Sequence, residues 1–98
     1  MVAGMANDAE TRQRLAASAG FRAVASDGPL GVVETPLFPP DAREPDFLVL
    51  RIRAWSRTRR PIVSTALVEA VDVESRVVLF SGRRQELERM PEHVPIAI

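Results

Sequence analysis

The chain has 98 residues, which suits one domain, and its 46% hydrophobic and 27% charged residues are those of an ordinary globular protein. Thirteen basic residues balance thirteen acidic ones, so no net charge draws the protein to nucleic acid or to an anionic membrane. Because cysteine is absent, disulfides, thiolate chemistry and cysteine-based zinc sites are excluded.

The start of the chain indicates neither export nor membrane insertion. Residues 1–6 lack the basic start and the long apolar stretch of a secretory signal, and no apolar run is long enough to span a bilayer. We therefore expect a cytoplasmic protein with no membrane partner. Apart from His93, every basic residue is arginine, which indicates a bacterial source with a G+C-rich genome.

Residues 7–20 predict a short helix. Asn7 or Asp8 can cap its start, and Gly20 suits its end. Leu15 is the one large hydrophobic residue of this segment, so the helix would be marginal in isolation. We expect residues 1–19 to form an N-terminal extension that is either helical or partly disordered.

A β-hairpin is predicted directly after this segment. Residues 21–25 lead as a strand into Asp27-Gly28, a dipeptide whose tolerance of positive φ suits a two-residue loop. In the returning strand, Leu30 and Val32 should share the core face. Gly31 lies between them, and a glycine inside a strand often marks a bend or the close approach of another backbone.

A proline-rich segment separates the hairpin from the strongest strand signal. Residues 36–46 hold four of the eight prolines and should have little regular structure, with Phe38 folded back on the core. Residues 46–53 then alternate in the pattern of a strand. One alternate set is apolar throughout and predicts a core face: Leu48, Leu50 and Ile52. The other set begins apolar and ends basic, which predicts a wet second half and a first half covered by the N-terminal helix or by a partner: Phe47, Val49, Arg51 and Arg53.

The remaining predicted elements are shorter. The tail, residues 92–98, is apolar enough to pack, either over its own sheet or as an added strand on the open edge of a neighbour. The elements before it are strands at 61–63 and 76–81, a segment at 66–71 that is a strand or a single tight turn, a turn at 72–75, and a short helix at 83–90 that Pro91 ends. The predicted core comprises Val24, Leu30, Val32, Leu48, Leu50, Ile52, Val63, Val68, Val71, Val77 and Leu79.

Four segments, taken in order, carry a resemblance to a known family. Residues 24–33 (VASDGPLGVV) are similar to its opening hairpin, 47–51 (FLVLR) to its central strand, 61–72 (PIVSTALVEAVD) to the segment that follows, and 76–79 (RVVL) to its closing strand. Across residues 20–91 the chain resembles a PRC-barrel domain, the small β-barrel of the photosynthetic reaction-centre H subunit and of a ribosome-maturation factor. The resemblance implies a mostly β, single-domain barrel of about six strands, with a short N-terminal helix and a short C-terminal helix.

The same resemblance implies a function in binding. PRC-barrel domains serve as non-catalytic adaptor or assembly modules, so we expect a protein partner, no enzyme activity and no cofactor. The residues offer no catalytic constellation, since His93 is the one histidine and lies in a proline-flanked tail. A metal site would have to combine carboxylates with this single imidazole, so no metal is expected.

The candidate partner-binding residues form a basic turn with a tryptophan among its arginines. No acidic residue lies between Asp46 and Glu69. Guanidinium groups bind phosphate or carboxylate in a forked geometry, while an indole can stack on a base or fill a partner's pocket. The predicted site comprises Arg51, Arg53, Trp55, Arg57, Arg59 and Arg60.

Several interpretations of this turn stay open. The turn binds a protein partner, or it serves RNA or ribosome-associated binding through residues 51–60. Alternatively, it is a solvated turn in which Arg51 and Arg53 pair with Glu34, Glu69 or Glu74 on neighbouring strands. The acidic residues at 34, 41, 44 and 46 could also meet the basic turn of a second copy, which would make a homodimer.

Overall fold

Seven strands pair into one mixed sheet, which two short helices accompany. The computed structural model describes residues 9–54 and 56–93. The expectation of a mostly β fold with a short helix near each end is confirmed. The elements are α1 (Ala9–Leu15), β1 (Arg22–Ala25), β2 (Gly28–Leu37), β3 (Phe47–Ala54), β4 (Arg57–Arg59), β5 (Ile62–Ser64), a 3₁₀ helix (Thr65–Leu67), β6 (Val68–Asp72), β7 (Val77–Phe80) and α2 (Arg84–Glu88).

The sheet is open along the described part of the chain, with seven strands where about six were expected in a closed barrel. The strand order is β4-β3-β2-β1-β7-β6, and β5 pairs with the first half of β3. Only β1 and β7 run parallel. The chain passes from β5 to β6 through the 3₁₀ helix, where Thr65 N–H bonds to Asp46 and Ser81 N–H bonds to Leu67. These bonds attach the connection to the ends of other strands, and no ladder joins β5 to β6 among the described residues.

One hydrophobic cluster holds these elements together. It takes buried side chains from both helices and from every strand except β4. Each helix adds one fully buried leucine, Leu15 from α1 and Leu87 from α2. Burying a side chain of this size stabilises a fold by about 1.5–3 kcal/mol, which explains how such short helices persist. The predicted core residues that are buried are Leu30, Leu48, Leu50, Ile52, Val63 and Val68, and Val71 packs against them half-buried.

The prediction that Leu79 lies in the core is wrong. Leu79 is 37% exposed, while its neighbours Val78 and Phe80 are buried and Val77 is half-buried. All four residues of β7 are apolar, so their pattern does not reveal which alternate pair faces inward. Pairing decides it, because Val78 lies opposite the buried Ala23 of β1.

The core face of the first hairpin also differs from the prediction. Val32 is half-buried, and Val33 takes the buried position instead. The register of β1 and β2 shifts where Ala23 pairs with Gly31 and the next residue pairs with Pro29. Leu30 has no partner at this shift, so the alternation of β2 changes face after it. Val24 is likewise half-buried, between the buried Ala23 and Ala25.

Gly31 lies directly against the backbone of β3, as the sequence predicts for a glycine inside a strand. A methyl group at this position would overlap the carbonyl oxygen of Arg51 and lie 3.2 Å from Cα of Ile52. Only a glycine at position 31 therefore allows β2 to approach β3 this closely.

The hairpin itself turns through Ser26 and Asp27, one residue earlier than predicted, and Gly28 begins β2 at a φ of 140°.

Candidate functional site

A row of three paired residues crosses the outer face of the sheet. Arg22 of β1 pairs with Val32 of β2, and Val32 pairs in turn with Arg51 of β3. Both arginines are exposed, and Val32 is half-buried between them. Because neighbouring strands lie ~4.8 Å apart, the Cα atoms of Arg22 and Arg51 are separated by about 10 Å. The row thus presents a cation, an apolar side chain and a second cation.

This row lies in a groove of about 620 Å³. Arg53 lines the groove two residues beyond Arg51, beside its β4 partner Thr58. Pro29 and Val32 supply apolar surface, and Gly31 supplies no side chain at all. The groove is therefore a shallow apolar floor with three guanidinium groups around it, and none of the described residues that line it is acidic.

The charges of the groove are not neutralised within the described residues. Arg22, Arg51 and Arg53 are exposed, and no carboxylate of the described chain forms an ion pair with them. Arg57, at the start of β4, is also exposed and also forms no ion pair with a described carboxylate. Uncompensated cations beside apolar surface are typical of a site for an acidic ligand.

The remaining arginines of the predicted site are paired. The Nε atom of Arg60 donates to both carboxylate oxygens of Glu34, at 2.9 and 3.2 Å, and Arg59 lies 3.8 Å from Glu92. Glu34 is the residue without a partner at a second register shift, between β2 and β3, and such shifts redirect side chains. Trp55 lies outside the described residues. The structure thus divides the predicted turn into a cationic groove and a neutralised edge.

Arg22 belongs to this groove although the sequence analysis did not single it out. Arg22 lies on β1, far from the basic turn in the chain, and only the β1–β2–β3 pairings bring it beside Arg51. Arg22 is the one charged residue of β1, and this feature of the sequence could have identified it as a candidate. Counting the register through the hairpin without the shift at Leu30 would have placed it opposite the wrong residue.

Asp72 lies on the same cross-strand row, two strands beyond Arg22. Asp72 pairs with Val77, and Val77 pairs with Arg22. Its carboxylate accepts hydrogen bonds from the backbone N–H of Ser75 at 3.1 Å and from the Ser75 hydroxyl at 3.0 Å. Both bonds lower the pKa of Asp72, and the bond from the Ser75 backbone has the larger effect. The acidic residue of this row is therefore held in its own turn, and it forms no ion pair with Arg22.

The change Ser75→Ala should raise the pKa of Asp72 part of the way towards its ordinary value of 3.8, because the backbone bond remains. When the folded-state pKa of a carboxyl group is below its ordinary pKa, the group stabilises the fold at every pH above the ordinary pKa. This stability is lost as the pH falls through the lower, folded-state pKa. An NMR titration of the Asp72 side chain in both proteins would measure the change. An unaltered pKa in the variant would show that the hydroxyl does not stabilise the carboxylate.

A second groove, of about 700 Å³, lies between α1, the proline-rich loop and the 3₁₀ helix. Arg12 of α1 is ion-paired with Glu44 of the loop at 3.3 Å. Phe38 and Phe47 are both 44% exposed, so the prediction that Phe38 folds back on the core is wrong. The described chain leaves Phe47 exposed, and its coverage by a partner stays a prediction. Val49 is fully buried as expected. Two arginines and two acidic residues are among the lining residues of this groove, so it has no excess of either charge.

The described residues contain no other candidate for chemistry. Among them, no three of the His, Asp and Glu side chains lie close enough together to hold a metal ion. His93 contributes its backbone N–H, which bonds to the carbonyl of Arg60. No described helix has both the length and the apolarity that crossing a membrane requires.

No protein-family model matches the chain, and no curated protein matches it either.

Proposed function

We propose that this protein is a non-catalytic adaptor module of the PRC-barrel type, which mediates protein–protein assembly through its arginine groove. The observation that supports the proposal most is the set of three exposed guanidinium groups around an apolar floor, none of which forms an ion pair with a described carboxylate. Sites that bind protein segments combine apolar contact with a few charges that set orientation, and arginine is enriched in them. The resemblance to PRC-barrel domains supports the same function.

The floor of the groove favours a protein over RNA as the partner. Pro29 and Val32 offer surface to an apolar side chain, which a phosphodiester backbone does not have. Arg59 and Arg60 are each paired with a glutamate, so residues 51–60 have fewer uncompensated positive charges than their sequence alone indicates.

A separate partner is also better supported than a second copy of the chain. Of the acidic residues that could reach a neighbour's basic turn, Glu34 is paired with Arg60 and Glu44 with Arg12. Asp41 and Asp46 remain, both exposed. Pairing within the chain thus occupies two of the four acidic residues that were candidates to meet a neighbour's basic turn, so we propose that the acidic groups come from another protein.

Photo-cross-linking from inside the groove tests this function. A photoreactive phenylalanine analogue at Thr58, in a lysate of the source cells, should give protein adducts that survive nuclease treatment. The matched control carries the same analogue at Gln85, an exposed residue of α2 outside the groove, and should give none of these adducts. Adducts that nuclease destroys would establish the RNA alternative instead. No adduct specific to position 58 would contradict the proposal.

A further inference from the structure

The chemistry of the ligand follows from the order of the groups along the row. Arg22, Val32 and Arg51 lie side by side on three adjacent strands, so the groove offers positive, apolar and positive groups in a straight line across the sheet. About 10 Å separates the two outer Cα atoms. This spacing exceeds the width of one carboxylate or one phosphate, so the row suits two separate anions with an apolar group between them.

An extended protein segment carries such groups at alternate positions. In a strand, residues i, i+2 and i+4 point to one face, and each residue advances the chain by ~3.3 Å. The outer two of the three are then about 13 Å apart, within reach of two long arginine side chains that diverge from Cα atoms about 10 Å apart. Guanidinium groups bind carboxylates through two parallel hydrogen bonds, which fixes the orientation of the segment.

From this match we propose that the groove binds an extended acidic segment of the partner with the pattern acidic–any–apolar–any–acidic. One carboxylate binds Arg22, the other binds Arg51, and the apolar side chain between them packs on Val32. Arg53 lies beyond Arg51 on the same face and adds attraction at that end of the segment. The inference rests on the proposed function and specifies the class of partner segment that it requires.

Short synthetic peptides and the full chain provide the test. The probe is a capped peptide with the core Glu-Ser-Val-Ser-Glu, titrated into the protein and followed by NMR shifts of the groove residues. Two matched peptides separate the contributions: Gln-Ser-Val-Ser-Gln removes the charges, and Glu-Ser-Ser-Ser-Glu removes the apolar group. Inorganic tripolyphosphate and a short uridine oligonucleotide test whether any polyanion is sufficient.

The expected result is saturable binding of the first peptide and much weaker binding of both matched peptides. Arg22→Gln and Arg51→Gln should each weaken it about fivefold, the effect of losing one exposed ion pair of about 1 kcal/mol. Arg60→Gln is the control, because Arg60 is paired with Glu34 and does not line the groove, and it should leave the affinity unchanged. All three arginines are exposed, so the variants should retain the fold.

Three results would overturn the inference. The first is binding of Glu-Ser-Ser-Ser-Glu with the same affinity as Glu-Ser-Val-Ser-Glu, which would show that Val32 is not part of the site. The second is tighter binding of the oligonucleotide or of tripolyphosphate than of the peptide. The third is no binding of the peptide at all. If position 58 still cross-links to protein in that case, the proposed function stands and only the segment pattern is wrong.

Discussion

Replacing Phe80 by alanine should destabilise the protein by about 3–5 kcal/mol, whereas Leu79→Ala should cost less than about 1 kcal/mol. Phe80 is 1% exposed and pairs with the buried Val68 of β6, so its removal leaves a cavity that the paired strands cannot readily close. Leu79 points to the other face of β7 and is 37% exposed. Chemical denaturation of both variants, with the free energy of unfolding extrapolated to water, measures the difference.

The comparison tests the orientation of β7 and not merely its importance. Both positions are large and apolar, so a protein that needed only hydrophobic residues in this strand would lose similar stability from either change. If Phe80→Ala prevents folding, Phe80→Leu provides a smaller truncation at the same position and should still cost more than Leu79→Ala. A larger loss from Leu79→Ala than from Phe80→Leu would mean that β7 faces the opposite way.

The change Gly31→Ala should destabilise the protein by about 1–3 kcal/mol, the range found when a group is forced into a packed site. The added methyl group would overlap the carbonyl oxygen of Arg51 and press on Cα of Ile52. Both contacts are with backbone, which cannot rotate away as a side chain can. Thermal and chemical unfolding measure the loss, and the pairing of β2 with β3 should loosen with it.

Gly82→Ala is the matched control for this prediction. The methyl group there would meet Glu86 and Leu87 side-chain atoms at 3.5 Å, an ordinary contact distance. Replacing such a glycine also restricts the unfolded chain, so stability should stay level or rise by up to about 1 kcal/mol. Equal losses from the two changes would show that the effect at Gly31 is a general loss of glycine flexibility and not a clash.

The Gly31→Ala protein also connects the fold to the proposed site. Gly31 and Arg51 both line the groove, and the clash would displace the β3 backbone from which the Arg51 side chain projects. We therefore expect this variant to bind the acidic peptide more weakly at temperatures where it remains folded. Gly82→Ala should bind it as the unaltered protein does, since Gly82 does not line the groove.

Local patterns in the sequence were sufficient for the parts of the fold that depend on neighbouring residues. Leu48, Leu50 and Ile52 form the alternate set that is apolar throughout, whereas the other set ends in Arg51 and Arg53, and this period of two identifies both a strand and its core face without knowledge of its partners. The presence of the first hairpin and the close backbone approach at Gly31 were likewise predictable, because turn-forming residues and a glycine inside a strand restrict the backbone locally, although the turn lies one residue earlier than predicted. The mostly β class follows from these same signals.

Tertiary pairing decided which faces and which charges meet. The extra residues at Leu30 and Glu34 interrupt the period of two, so a face assigned by counting along β2 is reversed after each shift. An unbroken apolar run such as β7 has no polar residue to mark its outer face. The meeting of Arg22 with Arg51 is set by the β1–β2–β3 hydrogen-bonded registers, and that of Arg60 with Glu34 by the side chain redirected at the shift. These contacts join residues distant in the chain, and no local pattern contains the register that aligns them.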